Sequence, residues 1–226
     1  MKSVGRLLEI ENDLYEEFQR CAAQLFDVKP EDDWDWYFLM QHHGAPTRLL
    51  DWTDGALIAL HFAVRDKPTP AKTGAVVYVL DPHWLLRYIE GLPDYARAKE
   101  NWDKFRVKDP AEGLTEEEWD RAYLPGDAED QKETPLPGAP LLWDSPHVTR
   151  RIAAQRSRFM IFGTDPKWMT EIGKGKPSHL RAIMIPAGSI NRIRRELRDA
   201  GVTESVVFPD LDGLGRELRQ VWEDRR

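Results

Sequence analysis

Apolar positions recur along this chain with two periods, and the switches between them predict its elements. From Glu11 to Gln24 (ENDLYEEFQRCAAQ), Leu14, Phe18, Cys21 and, just beyond, Leu25 fall at helical spacing opposite an acidic face. That predicts a helix with this stripe packed on a core. Asp32 to His42 (DDWDWYFLMQH) opens on aspartates suited to a helix N-terminus, offers Trp36, Leu39 and Met40 for burial, and is stopped by Gly44 and Pro46. Arg48 to Trp52 reads as a short strand. Thr53 or Asp54 can cap the next helix, and Gly55 to Val64 predicts that helix as a buried one through Leu57, Ile58, Leu60, Phe62 and Val64.

Beyond it, Gly74 to Leu80 (GAVVYVL) is the clearest strand, apolar on both faces and therefore expected at the centre of a sheet. Arg158 to Gly163 and Leu180 to Pro186 predict two more strands, separated by a hairpin or a loop holding Gly173, Gly175 and Pro177. Ser189 to Ala200 predicts a helix burying Ile190, Ile193 and Leu197, with Gly201 as a left-handed cap. Glu204 to Phe208 reads as a short strand. Leu211 to Trp222 reads as a closing helix with Leu211, Leu214, Leu218 and Trp222 turned inward. The stretch from Pro93 to Pro140 is acidic, poor in branched apolar residues, and ends in the cluster TPLPGAP, which predicts a helical or loose insertion. Together these elements predict an α+β fold, a central mixed β-sheet flanked by helices, as one domain over 1–226 with an acidic insertion at about 93–140.

Composition narrows the function. The 226 residues suffice for a core without staples. Cys21 is the one cysteine, which excludes an intrachain disulfide and a multi-cysteine zinc site. No apolar run approaches the roughly 18 residues a membrane span needs. The N-terminus MKSVGRLLEIEND turns acidic where a secretory signal stays apolar, so a soluble, cytoplasmic protein away from membranes is expected. A net charge of −7 weighs against a protein that coats nucleic acid through its overall field.

The chemistry-bearing residues concentrate in QHHGAPTRLLDWT, Gln41 to Thr53. Free backbone N–H groups after Thr53 and the forked guanidinium of Arg48 are suited to a phosphate. An Arg and an Asp three apart beside a helix start also make an ordinary ion pair and cap, and in a regular strand Arg48 and Asp51 point to opposite faces. His42 and His43 lack a third ligand at metal spacing, which favours a capping or substrate-contacting role. No GxSxG, GxGxxG or GxxxxGK[ST] pattern occurs, and Cys21 reads as a small hydrophobe. Arg150, Arg151, Arg156 and Arg158 around Gln155 form the densest basic cluster. Arg192, Arg194, Arg195 and Arg198 read as the outer face of a helix.

QHHGAPTRLLDWT followed by ALIALHFAV resembles the core motif of FRG-domain proteins. RRIAAQRSRF, HLRAIMIP and ESVVFPDLDGLGREL are similar to later family segments in the same order. The family's N-terminal Phe/Tyr-Arg-Gly motif has no counterpart, since Val4-Gly5-Arg6 does not supply it, which implies a start beyond that motif or a branch without it. The family layout also resembles ADP-ribosyltransferases. That analogy implies NAD as substrate, no tightly bound cofactor, and a bacterial toxin or phage-defence effector acting on a protein or nucleic acid. On this reading Asp51 or Glu204 is the carboxylate beside the ribose and Arg48 the pyrophosphate donor. His42 or His43 contacts a ribose hydroxyl, Trp52 is a stacking wall, and Gln41, Thr47, Thr53, Arg151 and Gln155 complete the binding set. A second reading stays open: a non-catalytic module binding a phosphorylated ligand or nucleic acid through Arg48 and the arginines flanking Gln155. A phosphoesterase or nuclease is the third, weakened by the missing metal cluster.

Overall fold

The computed structural model describes residues 4–22, 24–25, 30–65, 74–106, 119–126, 135–143, 150–176 and 178–223. They form two compact units, each built from three stretches of chain. Unit 1 is Met1–Leu50, Pro82–Leu142 and Met160–Glu171; unit 2 is Asp51–Asp81, Trp143–Phe159 and Ile172–Arg226.

Unit 1 opens with α1 (Val4–Ala22) and α2 (Asp33–His42). Asp32 caps α2 by accepting a hydrogen bond from the Asp35 N–H at 2.8 Å, as its position in the sequence predicts. The buried stripe of α1 is Leu8, Glu11, Tyr15 and Ala22, while Leu14, Leu25 and Cys21 are exposed, so the expected apolar face is not the one that packs. Polar anchors set the rotation. The Tyr15 hydroxyl donates to the Asp33 carbonyl at 3.2 Å, and Glu11 is drawn inward to meet Tyr37 and Arg48. After α4 (Pro82–Glu90), the described part of the acidic segment, which begins with α5 (Pro93–Arg106), buries Tyr95, Trp102, Trp119 and Tyr123. Their rings meet edge to face around Trp119, whose indole N–H donates to the Tyr95 hydroxyl at 2.8 Å. These residues are core rather than loose surface; 107–118 and 127–134 lie outside the described residues.

In unit 2, β2 (Gly74–Leu80) pairs antiparallel with β5 (Leu180–Pro186), Gly74 opposite Pro186 and Leu80 opposite Leu180. Alternation puts Ala75, Val77 and Ile185 on one face. There they pack against Leu60, Ala63 and Val64 of α3 (Ala56–Val64) and Ile190, Ile193 and Leu197 of α8 (Ala187–Asp199). Gly201, at φ +80°, ends this helix as expected, and the Val202 N–H reaches back to the Leu197 carbonyl.

The other sheet has the strand order β1 (Leu49–Thr53), β4 (Ser157–Ile161), β3 (Leu141–Trp143). Phe162 N–H bonds the Arg48 carbonyl and Asp54 N–H the Arg156 carbonyl, so β1 and β4 run in opposite directions. The chain therefore folds as α+β with two small sheets in place of one central sheet. The expected central strand β2 belongs to the two-stranded sheet and leaves Tyr78 and Val79 exposed. α6 (Arg150–Gln155) precedes β4, and the connection to β5 is a helix, α7 (Trp168–Gly175), rather than a hairpin or open loop.

Two further corrections concern the C-terminal segment. Glu204–Val207 is a short helix, α9, and not a strand: its backbone is satisfied locally, Val207 N–H to the Thr203 carbonyl and Phe208 N–H to that of Glu204. In α10 (Leu211–Glu223) the face turned inward carries Gly213, Arg216 and Glu217, which contact Phe208, Glu204 and the Ser205 N–H. Leu211 is 86% exposed and Leu214, Leu218 and Trp222 lie outward with it, because buried polar links outrank the leucine stripe.

Candidate functional site

The QHHGAPTR segment leaves α2 through Gly44, at φ +79°, and runs into β1 within unit 1. The His42 and His43 rings lie tilted at 32° with centroids 4.8 Å apart, and the Thr47 hydroxyl donates to the Gln41 side-chain oxygen. Arg48 is engaged on three sides. Its Nε donates to Glu11 Oε2 at 2.5 Å, Nη1 to the Phe162 carbonyl at 2.7 Å, and Nη2 to the Tyr123 carbonyl. Its own backbone N–H donates to Glu11 Oε1 at 2.8 Å, and the Tyr37 hydroxyl donates to the same oxygen. The guanidinium offered by the sequence as a phosphate donor thus ties α1, the start of β1 and two distant carbonyls together as a half-buried lock. Burial pushes the Tyr37 hydroxyl pKa well up, so the phenol stays a donor to Glu11.

In unit 2, the Thr53 hydroxyl donates to the Gln155 carbonyl at 2.7 Å and accepts from the Gly55 N–H at 3.0 Å, fixing the entry to α3. Gln155 Nε2 donates to the Val207 carbonyl at 3.3 Å. Trp52 Nε1 is buried with no hydrogen-bond partner among the described residues. The basic cluster around Gln155 divides. Arg156 and Arg158 both reach Asp54, at 2.5 and 3.1 Å, whereas Arg151 lies over the Phe208 ring, 4.7 Å from its centroid. Arg65 and Arg216 lie against the same ring at 4.4 and 4.9 Å. Burial lowers the Arg151 pKa; nearby Asp210 and Asp51 oppose the shift, and Arg216 and Arg65 reinforce it.

Glu204 balances this cationic group. It is 2% exposed, and it accepts from Arg65 Nε at 2.7 Å and Nη2 at 3.2 Å and from Arg216 Nε at 3.0 Å. Burial pushes its pKa up, but the hydrogen bonds and charges of Arg65 and Arg216 prevail and hold it below its ordinary value. His61 Nε2 lies 3.3 Å from Glu204 Oε1 without the alignment of a hydrogen bond, and burial keeps its pKa low against the pull of that carboxylate. The carboxylate offered as catalytic therefore has both oxygens engaged, and it holds two guanidiniums in place.

Around this anchor opens a recess of about 300 Å³ lined by Arg65, Arg194, Glu204, Arg216, Arg219, Gln220 and Glu223. Beside it, His61, Val64, Leu197 and Val202 line a narrower hollow of about 30 Å³, which suits a single water. Arg194 and Arg219 pair with no carboxylate among the described residues. The arrangement can hold an anion: two guanidiniums are oriented by a buried carboxylate, and two more in the lining pair with no described carboxylate.

Asp51, Thr53, Arg151, Gln155 and Glu204 thus belong with this group in unit 2, while Gln41, His42, His43, Thr47 and Arg48 belong to unit 1. Reading the sequence overlooked Glu11, Arg65, Phe208, Arg216 and Arg219. The alternation of Arg and Glu in GRELRQ was a signal, hidden by the inward assignment of the leucines beside it. Among the described residues no group of three His, Cys, Asp or Glu is placed to hold a metal ion, and no helix is long and apolar enough to cross a membrane.

No curated protein and no solved structure matches this chain. The family model of the FRG domain matches residues 2–72, which include α1, α2, the QHHGAPTRLLDWT motif and α3. The three later segments that resemble the family lie outside that match. Over residues 2–72, then, the chain is similar to the FRG domain family.

Proposed function

We propose that this FRG-domain protein binds a phosphorylated ligand in the arginine recess of unit 2. The observation that carries the reading is the pair Arg194 and Arg219, uncommitted to any described carboxylate, beside Arg65 and Arg216, which Glu204 holds ready. Preorientation lowers the entropy lost when the guanidiniums grip a ligand, and a charge-assisted hydrogen bond is worth about 1.5–3 kcal/mol. The test is calorimetric titration of the full chain with inorganic phosphate. Saturable binding that falls at least about tenfold in Arg194→Gln or Arg219→Gln, for the loss of one such bond, is expected. Arg192→Gln, an exposed arginine paired to Glu196, is the control that leaves binding unchanged. Absence of binding, or equal binding in all three variants, refutes the reading.

An NAD-consuming ADP-ribosyl transfer, as in a toxin or phage-defence effector with a protein or nucleic-acid target, is the second reading. What favours it is the exposed Asp51 carboxylate within electrostatic reach of Arg151, a carboxylate and an anion holder in one unit. Release of nicotinamide from NAD, abolished by Asp51→Asn, supports it; no release counts against it.

A further inference from the structure

Resting on the anion-binding reading, we infer that the recess selects a terminal phosphomonoester, held as its dianion, over a phosphodiester. The residues around it carry four guanidinium charges, from Arg65, Arg194, Arg216 and Arg219, against two carboxylates, Glu204 and Glu223, which leaves an excess of two positive charges. Glu204 offsets one of the two charges of Arg65 and Arg216 and holds both in place, while Arg194 and Arg219 pair with no described carboxylate and stay available to a ligand. A phosphomonoester brings about −1.5 to −2 charge and three acceptor oxygens, whereas a diester brings a single charge and two free oxygens. Two uncommitted forks match the first and leave one donor set unused with the second.

The same surroundings argue against a nucleic-acid backbone, the commonest diester. Among the described residues no aromatic side chain lines the recess, so bases find no stacking platform there. The Phe208 ring already has Arg65, Arg151 and Arg216 lying against it. The adjoining hollow of about 30 Å³ admits a water and not a base. The chain as a whole, at −7, repels an extended polyanion while a local excess of arginine still attracts a compact one. The phosphate therefore enters the recess alone, and the group that bears it stays at the open mouth.

The experiment titrates the full chain with phenyl phosphate and with its methyl ester, methyl phenyl phosphate, which keeps the ring and removes one charge and one free oxygen. A phosphoserine tripeptide tests whether the phosphate is taken equally from a peptide. Phenyl phosphate is expected to bind at least tenfold more tightly than the ester, and Arg194→Gln and Arg219→Gln should each erase most of that preference. Peptide binding with the same preference and the same variant dependence supports the assignment of the phosphate, rather than its bearer, as the recognised group. Equal affinity for ester and monoester overturns the selectivity while leaving the recess an anion site. Failure of phenyl phosphate and inorganic phosphate alike removes the anion site itself.

Discussion

Replacing Arg48 with Met should unfold the first unit's lock, and the cost can be worked out from what the guanidinium touches. The half-buried side chain pairs with the buried Glu11, and two of its nitrogens donate to the carbonyls of Phe162 and Tyr123. Removing one partner of a buried ion pair costs about 3–5 kcal/mol, since the remaining carboxylate is left without its counter-charge. Each deprived carbonyl adds about 1 kcal/mol. Glu11 keeps the Tyr37 hydroxyl and the backbone N–H of residue 48, which offsets part of the loss, so we expect about 4–6 kcal/mol. Against a total stability of about 5–15 kcal/mol this is a large share. In urea, with a slope of about 2–3 kcal/mol per molar, the midpoint should fall by roughly 2 M. The double variant Arg48→Met with Glu11→Gln completes the cycle. If the penalty comes from a stranded charge, removing that charge restores stability, and the double variant is more stable than Arg48→Met alone. A loss below about 1 kcal/mol in Arg48→Met, or strictly additive effects in the double variant, would refute the reasoning.

Two other outcomes concern the second unit. Gly213→Ala should destabilise by at least about 1–3 kcal/mol in thermal melts, because an added Cβ would lie 2.0 Å from the Phe208 carbonyl oxygen. Gly215→Ala, two residues on in the same helix with nothing within 4 Å, should stabilise by about 0.5–1 kcal/mol; the reverse order would show α10 packed otherwise. The acid limb of the stability curve should flatten in Glu204→Gln. The folded-state pKa of Glu204 is held below its ordinary 4.5, so its contribution is present in full above that pH and is lost as the pH falls through the folded value. Urea midpoints measured from pH 6 down to pH 3 check this, and an unchanged slope in the variant would contradict it.

Elements whose signals are local were legible in the sequence. Asp32 capping α2, the GAVVYVL and LRAIMIP strands, and Gly201 ending α8 each depend on neighbours a few residues away. What could not be read was orientation imposed from afar. Glu11 looked like one more solvated acid on α1, and only Arg48, 37 residues on, makes it a buried one. Likewise the leucines of α10 looked like its core face until Glu204 and Phe208 claimed Arg216 and Gly213 for the inside. Glu204 to Phe208 has strand-like composition, yet four residues with no neighbouring strand close their hydrogen bonds on themselves. For the site, Arg151, Gln155 and Glu204 were within reach of composition and family resemblance. Arg65 and Arg219 were not, because a scattered arginine acquires a role only from what it converges upon.

The passage of the chain between units within β1, β3 and β4 has a practical consequence for anyone cutting it. Of the five divisions, those after Leu50, Leu142 and Phe159 fall inside strands and that after Glu171 inside α7; the one after Asp81 alone falls in a connection. A fragment ending at residue 72, the limit of the family match, would keep β1 but discard β4 beside it, and would keep Arg65 but discard the glutamate that holds it. Expressed alone, such a piece should behave as an unfolded polypeptide with unmatched strand edges, and intact polypeptide is the smallest object on which binding experiments make sense.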